Sequence, residues 1–281
     1  MTRSPYRSHE GRRVLEDWQS ARRGGAVERP VRSDLGISVA LDAGEGSGVP
    51  LVAFPGAGFP VVLLAEHLAR LGESRRLVCV GVPGHPGLGL TRSADPRSGD
   101  LAVWADGLFD ALDIDQADLF GHSAGGWAAL RIAWERPHRV RRLVLGAPAG
   151  IVRARTPLRL LWRSLLWRIR GDDAGSRRVL EAIWGGGSPD PDLVAWTTLL
   201  ARHTRRSPPP VRLPPPVLRA VEHPTLVLVG ELDPVFPPPK LHAGVQRHFT
   251  AAHVDVVAGA GHVLPAEATD AVVDAASSFL A

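Results

Sequence analysis

The sequence predicts an α/β fold: a doubly wound, mostly parallel sheet with a helical segment inserted into it. Apolar runs of strand length alternate with amphipathic helical patterns over most of the chain, as in sheets built from crossover units. Runs such as residues 51–54 and 226–229 are continuously apolar, which is expected of strands covered on both faces. Between residues 147 and 220 this alternation stops, and arginine, tryptophan and proline become frequent.

Taken in order, the periodicity predicts core strands at residues 37–41, 51–54, 76–80, 117–120, 140–145, 225–229 and 253–257. Core helices are predicted at residues 61–70, 99–112, 127–136, 239–247 and 267–280. The inserted segment is expected to form helices at residues 158–170, 177–184 and 192–202, followed by a stiff proline-rich return linker at residues 207–216. These elements divide the chain into a basic N-terminal tail (1–30), a core (31–146 and 221–281) and a helical lid with its return linker (147–220).

The composition suits one large domain. The chain has 281 residues, of which 44% are hydrophobic. Residues 1–32 hold eight arginines and four acids and so account for the whole net charge of +4. The basic character therefore belongs to a solvated, partly helical tail, and we expect no nucleic-acid partner. A docking arm for an acidic partner is the alternative interpretation of this tail.

The sequence predicts a cytoplasmic protein without stable membrane insertion. No apolar run reaches the length of about 18 residues that spans a bilayer, and the N-terminus lacks the apolar region of a secretory signal. The single cysteine, Cys79, excludes an internal disulfide and fits a buried strand. Residues 158–170 have a basic polar face, so a helix lying on a membrane surface is an alternative to a lid. A lid is favoured because the segment lies between two core strands, and the oligomeric state stays undetermined.

A G-x-S-x-G run from Gly121 to Gly125 is the main chemical signal. A serine oxygen attacks well when a tight strand-to-helix turn presents it clear of its neighbours. Such a turn needs residues with almost no side chain two positions before and after the serine, because strand and helix approach closely there. The short buried strand predicted at residues 117–120 and the helical pattern after Ser123 supply that context. The alternative is a glycine-rich turn in which Ser123 only caps a helix.

Loops at the carboxyl ends of the predicted strands carry the partners that such a serine needs. In an open parallel sheet these loops share one edge, where ligands bind. Asp233 follows one strand and His262 follows the next. A serine hydroxyl needs a nearby base, and that base needs a third group to fix its tautomer. A purely structural turn at Asp233, with Glu231 or Asp255 as the acid, and a structural His262 are the alternatives.

These motifs resemble those of the α/β-hydrolase superfamily, in particular its lid-bearing serine hydrolases, over about residues 35–281. The resemblance rests on the elbow around Ser123, on Gly230-x-x-Asp233-Pro-Val and on Gly261-His262. It implies that Ser123 is the nucleophile, His262 the general base and then acid, and Asp233 the orienting acid. The motifs are specific for the fold and only weakly specific for a substrate.

Two backbone N–H groups should stabilise a developing oxyanion. One is expected on Ala124, directly after the nucleophile, and the other on Ala57, with Gly58 as the reserve. Many relatives have His-Gly in the loop after the first parallel strand, whereas this chain has Pro55-Gly56. Val82 also departs from the aspartate that relatives often have at the start of the following loop.

The candidate substrate-binding residues are Gly58, Phe59, His85, Trp127 and Trp162. Core packing explains each aromatic residue at least as well when it is considered singly. His122, which precedes the nucleophile, is expected to be structural. No H-E-x-x-H or comparable spacing occurs, so neither a metal nor another cofactor is predicted.

The predicted function is hydrolysis of a carboxylic ester, thioester or lactone through an acyl-serine intermediate. The expected partner is a small molecule with an apolar portion, because the lid itself is apolar. One alternative keeps the triad and cleaves a carbon–carbon bond in a diketone-like substrate. Another is a ligand receptor on the same fold with little turnover.

Overall fold

The computed structural model describes residues 4–33, 35–44, 46–89, 92–95, 98–206 and 209–281. Residues 207 and 208, where the predicted return linker starts, lie outside the described residues, as do residues 1–3 of the predicted tail. Within these ranges one sheet contains the strands β1 Val27–Ser33, β2 Gly36–Asp42, β3 Gly48–Phe54, β4 Arg75–Val80, β5 Ala117–His122, β6 Val140–Gly146, β7 Thr225–Gly230 and β8 Ala252–Val257. Their order across the sheet is β1-β2-β4-β3-β5-β6-β7-β8.

The sheet is antiparallel at one edge and parallel from β4 to β8, as the sequence predicted. The helices that accompany it in the described ranges are α1 His9–Ser20, α2 Val61–His67, α3 Asp100–Ala111, α4 Ala124–Glu135, α5 Leu158–Arg170, α6 Asp173–Glu181, α7 Pro191–His203, α8 Pro215–Arg219, α9 Pro238–His248, α10 Leu264–Glu267 and α11 Thr269–Leu280. Two short 3₁₀ helices follow α2 and α4, at Ala69–Glu73 and Pro137–Arg139.

The central strands are buried on both faces, which explains the continuous apolar runs in β3 and β7. Every residue of β5 and β7 is buried, and Trp104 of α3 is fully buried against the Phe54 ring of β3. Helices cover both sides because parallel strands require crossover connections. The carboxyl ends of β3, β5, β7 and β8 therefore reach the same edge of the sheet, and their loops form the candidate site.

The N-terminal segment differs from the expected solvated tail. Leu15 of α1 is fully buried, and the Trp18 ring lies 5.1 Å from that of Trp196 on α7. Residues 27–33 form the edge strand β1, which pairs with β2. The buried positions of α1 are spaced by four residues, so they make one narrow face in a sequence that is polar overall. That face packs the segment onto the inserted helices.

Helices α5 to α8 are inserted between β6 and β7, within the segment where the alternation was expected to stop. The observed bounds of α5 coincide with the predicted ones. Part of the stretch predicted as a stiff linker is instead the short helix α8. None of the helices that the structure describes is both long and apolar enough to cross a bilayer.

Candidate active site

The turn between β5 and α4 holds Ser123 in a strained backbone conformation. Its φ of 50° and ψ of −109° lie in a region that non-glycine residues rarely occupy. A Cβ atom at Gly121 would lie 2.5 Å from the carbonyl oxygen of Gly125, and one at Gly125 would collide with the carbonyl of Phe54. The glycine spacing around Ser123 is therefore required by the close approach of β5, α4 and β3.

The structure brings Ser123, His262 and Asp233 together. His262 Nε2 lies 3.0 Å from Ser123 Oγ, and His262 Nδ1 lies 2.9 Å from Asp233 Oδ2. A neutral imidazole that donates from Nδ1 to the carboxylate leaves Nε2 free to accept the serine proton. The three side chains come from the loops after β5, β7 and β8, which the shared edge of the sheet places side by side.

Asp233 is almost fully buried and accepts further hydrogen bonds on its other oxygen. The main-chain N–H groups of Val235 and Phe236 donate to Oδ1 at 2.7 and 2.9 Å. Burial alone would raise the pKa of Asp233, but the hydrogen bond and charge of His262 and these two N–H donors outweigh it, so the pKa lies below its usual range. The carboxyl group is therefore held ionised and oriented toward the imidazole.

Glu231 and Asp255, the alternative acids, do not contact His262. Glu231 Oε2 accepts a hydrogen bond from the Gly259 N–H at 2.9 Å, and Asp255 pairs with the exposed His253 at 2.7 Å. The geometry therefore favours Asp233 as the acid beside the imidazole.

The loop after β3 turns beside the serine. The N–H of Phe59 donates to the carbonyl of Gly56 at 3.0 Å, and Gly58 completes the turn with a φ of 75°. A Cβ atom at Gly56 would lie 3.4 Å from that of Ser123. Ala57 is exposed at the tip, and Ala124 begins helix α4, where N–H groups lack intrahelical partners. Ala124 thus follows the serine directly, and Ala57 follows Gly56, which borders it.

Sequence reasoning missed Glu267, which fixes the loop that carries His262. Its carboxylate accepts hydrogen bonds from the N–H groups of Gly261 and Val263, both at 2.7 Å, and from that of Gly185 at 2.5 Å. Burial raises the pKa of Glu267 above its usual range, although the three donors oppose this shift. The residues on both sides of His262 are therefore bound to one carboxylate. The only sequence signal for this role is a glutamate five positions after the histidine. That pattern is too common to predict a contact with the loop.

The inserted segment also contacts the His262 loop directly. The N–H of His262 donates to the carbonyl of Ile183 at 2.7 Å. Gly185 and Gly261 approach each other so closely that a Cβ atom on either would collide with backbone of the other segment. On the opposite side, the Trp196 indole N–H donates to the carbonyl of Gly58 at 2.6 Å. The inserted segment thus holds both the histidine loop and the loop of Ala57.

His122 lies under the site, as expected for a structural residue. Its Nε2 lies 2.7 Å from the carbonyl oxygen of His262, to which it must donate a proton. Burial, followed by the charge of His262, lowers the pKa of His122 to about 3. His122 is therefore neutral at physiological pH and adds no charge beside the imidazole of His262.

Two of the candidate substrate-binding residues are placed differently from the prediction. His85 is buried, and its Nε2 lies 2.9 Å from the carbonyl of Phe59, so it supports the loop after β3. The indole of Trp162 is 64% exposed on the outer side of α5. Its helix packs on the rest of the protein through other side chains, so Trp162 does not line the site.

The remaining candidates lie near the serine. Phe59 is buried, with its ring 6.3 Å from that of His122. Trp127 is half-buried one turn into α4, next to Gly150 and beneath the guanidinium of Arg131. In the described ranges, no group of three or more His, Cys, Asp or Glu side chains is arranged to hold a metal ion.

Comparison with known proteins identifies the class of protein that this fold and site define. A sequence model of the alpha/beta hydrolase family matches residues 51–275. The chain therefore belongs to the alpha/beta hydrolase family. The carboxylesterase CesB from Bacillus subtilis has a similar fold, with a TM-score of 0.83, 19% identity and coverage of 96% of this chain and 98% of that one.

Two curated relatives of similar sequence are named for different reactions. A 2-hydroxymuconate semialdehyde hydrolase from Pseudomonas sp. (strain CF600) is 39% identical over 112 residues, which are 38% of this chain and 38% of that protein. The match thus spans less than half the length of that relative. A poly(3-hydroxyalkanoate) depolymerase from Ectopseudomonas oleovorans is 29% identical over 210 residues, which are 72% of this chain and 74% of that protein.

Proposed function

We propose that this hydrolase cleaves a carboxylic ester, thioester or lactone through an acyl-enzyme on Ser123. The observation that carries the proposal is the hydrogen-bonded series from Ser123 Oγ through His262 to Asp233, at 3.0 and 2.9 Å. His262 Nε2 takes the hydroxyl proton as Oγ attacks the carbonyl carbon. The imidazolium then gives that proton to the leaving oxygen or sulfur. Water, activated by the same nitrogen, releases the acid and restores the serine.

The N–H groups of Ala57 and Ala124 are proposed to receive the negative oxygen of the tetrahedral intermediate. Support comes from the position of Ala124 in the first turn of α4, directly after Ser123, and from Gly56, the residue before Ala57, which borders the serine. The positive end of the α4 dipole adds to this stabilisation. Removing one such donor costs about 2.7–4 kcal/mol of transition-state stabilisation in comparable sites.

The inserted helices are proposed to act as a lid that forms part of the substrate site. Trp196 of α7 contacts the carbonyl of Gly58, and Ile183, in the loop between α6 and α7, contacts the N–H of His262. Both contacts support this role because they connect the lid to the two functional loops. The buried ring of Phe59 and nearby Leu200, which a Cβ atom at Gly58 would meet at 2.9 Å, give this region an apolar character. A small molecule with an apolar acyl or ring portion fits such surroundings better than a highly charged one.

A carbon–carbon bond hydrolase with the same three residues is the second candidate. One relative favours this candidate, because its name gives 2-hydroxymuconate semialdehyde as the substrate, and that name specifies no ester. The depolymerase relative acts on a polymer of hydroxyalkanoates, which supports the ester reaction. A receptor with negligible turnover is the third candidate, and the aligned Ser123 and His262 argue against it because binding alone does not require that geometry.

Turnover of a substrate panel by matched variants tests this proposal. The panel pairs nitrophenyl esters and thioesters of increasing acyl length with vinylogous diketones. We expect ester hydrolysis by the wild type and its loss in Ser123→Ala, which keeps only the residual catalysis of oxyanion stabilisation and binding. Ser277→Ala, on the outer side of α11, serves as the control and should leave turnover unchanged. Diketone cleavage without ester hydrolysis would select the second candidate, and ester hydrolysis that survives Ser123→Ala would refute the nucleophile.

A further inference from the structure

Helix α5 presents its apolar side chains to solvent. Not one of its 13 residues is buried. Of the thirteen large apolar side chains exposed in the described ranges, six lie on this single helix, with exposures from 45% to 79%. Their spacing of three and four residues places them in one continuous stripe along the helix, formed by Leu158, Leu161, Trp162, Leu165, Leu166 and Ile169. We call these six residues the α5 stripe.

The side of α5 that faces the protein is held by polar contacts. The indole N–H of Trp167 donates to the carbonyl of Thr197 at 3.1 Å, and Arg168 Nη1 donates to that of Thr204 at 2.9 Å. Arg163 Nη1 donates to the carbonyl of Arg178 at 3.0 Å. A rotation that buried the α5 stripe would break these bonds to α6 and α7. The orientation of the helix is therefore fixed, and the stripe is left for a partner outside the chain.

Arginines border the α5 stripe along both of its edges, and Glu181 of α6 shares a surface depression with Arg159 and Arg163. Residues 147–170 contain six arginines and no aspartate or glutamate. At 100° per residue, Arg159, Arg163 and Arg170 follow one edge of the stripe and Arg168 follows the other. Arg159 and Arg170 are exposed, and neither has an ion-pair partner among the described residues. An apolar stripe of Leu, Ile and Trp beside free guanidinium groups is complementary to an anionic lipid surface.

A second copy of the chain fits this surface poorly. A symmetric contact between two α5 stripes would bring arginines from both copies to the rim of the interface. Residues 147–170 contain no carboxylate, and Asp172 and Asp173, which follow the helix, already accept hydrogen bonds from Gly175 and Thr198. The neighbouring Glu181 balances only part of the charge of the four arginines on α5, so like charges would oppose the association. A bilayer that contains acidic headgroups has no such penalty, because it supplies the phosphates that the guanidinium groups bind.

We propose that α5 attaches the protein reversibly to membranes that contain anionic phospholipids. The α5 stripe enters the boundary between headgroups and acyl chains, while Arg159 and Arg170 bind lipid phosphates. The helix lies in the plane of the surface, since its inner side remains bonded to α6 and α7. This attachment depends only on the exposed face of α5 and is independent of the reaction at Ser123.

Vesicle flotation tests this proposal. The wild type should float with vesicles of phosphatidylcholine and phosphatidylglycerol, much less with phosphatidylcholine alone, and less as salt is added. Replacing two stripe residues in Trp162→Ser/Ile169→Ser should weaken binding by about tenfold or more, because apolar area is lost from the interface. Ile37→Ser/Val256→Ser is the matched control, since those side chains are 52% and 53% exposed elsewhere. It should bind as the wild type does.

Charge is tested with a second pair of variants. Arg159→Glu/Arg170→Glu should abolish flotation with the anionic vesicles, whereas Arg219→Glu/Arg247→Glu, with the same change in net charge on α8 and α9, should retain it. Trp162→Phe provides a spectroscopic readout, since its difference spectrum from the wild type isolates one indole. Brominated lipids should quench that difference signal when anionic vesicles are present. Circular dichroism verifies that each variant is folded.

The outcomes that overturn the proposal are distinct. Absence of flotation with anionic vesicles would reject it, and so would equal losses in the stripe variants and their matched controls. If light scattering shows a wild-type dimer that Trp162→Ser/Ile169→Ser converts to a monomer, without vesicle binding, the α5 stripe is covered by a second copy. A wild-type monomer that ignores vesicles but binds a purified protein partner through the stripe would equally refute a lipid occupant.

Discussion

His122 Nε2 donates to the main-chain carbonyl of His262 at 2.7 Å, so the residue before the nucleophile is bonded to the base itself. The two rings lie 5.4 Å apart. This bond joins the end of β5 to the loop after β8 without using the reactive atoms of Ser123 or His262. The serine and the imidazole are thus aligned by a contact that remains while the proton moves between them.

Removing the His122 donor is expected to slow the reaction without weakening substrate binding. His122→Phe keeps an aromatic ring but loses the hydrogen bond, and kcat should fall by about tenfold, the equivalent of one buried hydrogen bond. His122→Gln retains an N–H donor and should recover part of the loss. Steady-state kinetics on a nitrophenyl ester provide the measurement. A change in KM alone, or equal losses in both variants, would contradict this positioning role.

Replacing Asp233 by asparagine should disable the imidazole while leaving the fold intact. The amide oxygen still accepts from the N–H groups of Val235 and Phe236, but the amide cannot hold the Nδ1–H tautomer of His262. We expect kcat to fall by about 10⁴, as in other sites with this arrangement. Glu231→Gln and Asp255→Asn are the controls and should retain wild-type turnover. A large loss in either control, with Asp233→Asn active, would transfer the role of the acid to that residue.

Glu267→Gln is expected to disturb both stability and turnover. Glutamine places an N–H₂ group where a carboxylate oxygen now accepts a backbone N–H, so at least one buried donor loses its partner. Leaving a buried group unsatisfied costs about 1–3 kcal/mol in the free energy of unfolding. Because the affected donors flank His262, kcat should also fall while KM changes little.

Glu231→Gln is a suitable control for Glu267→Gln. Glu231 also accepts a hydrogen bond from a main-chain N–H in the loop after β8, that of Gly259. Glu231 itself, however, is exposed. Urea denaturation should show almost no change for this variant, and its kinetics should match the wild type. If Glu267→Gln alters stability but not kcat, the carboxylate has a purely structural role.

The buried His85 makes stability depend on pH in acid. Burial lowers the pKa of His85 to about 4 from the 6.5 of an exposed imidazole. Below pH 6.5 the unfolded chain binds a proton on this imidazole that the native state does not bind. The contribution of His85 to the free energy of unfolding is therefore fully present above pH 6.5. It is lost as the pH falls toward 4, at about 1.4 kcal/mol per pH unit.

His85→Gln keeps a donor for the carbonyl of Phe59 but cannot titrate. The slope of unfolding free energy against pH should therefore be smaller for this variant between pH 6 and pH 4.5. The reduction corresponds to about one fewer proton taken up on unfolding. His138→Gln, at an exposed position after α4, controls for the loss of a histidine. An unchanged slope in His85→Gln would show that His85 is already protonated or exposed in the native state.

The repeating patterns made the parallel core predictable. Continuous apolar runs indicate β3 and β7, the short stretch at residues 117–120 before the serine turn indicates β5, and helical spacing gives the bounds of α5. The glycine spacing around Ser123 was predictable for the same reason, since close backbone contact has a strict steric requirement. Asp233 and His262 were found because carboxyl ends of neighbouring parallel strands share one edge.

What was missed depends on contacts between distant segments. Strand β1 has the sequence of a polar loop and forms because β2 offers an edge. The role of Glu267 requires Gly185 of the inserted segment, 82 positions away in the chain. Trp162 was a candidate pocket residue as one of the tryptophans of the predicted lid. The direction of a helix face depends on packing, and here the polar contacts of Trp167 and Arg168 turn Trp162 outward.

The most direct test of the proposed mechanism is labelling with a fluorophosphonate probe, followed by mass spectrometry of the modified peptide. An activated serine should be labelled at Ser123 in the wild type, and His262→Ala should abolish the labelling because the base is lost. Ser277→Ala should be labelled as the wild type is. Modification of another residue, or undiminished labelling of Ser123 in His262→Ala, would contradict a nucleophile activated by this histidine.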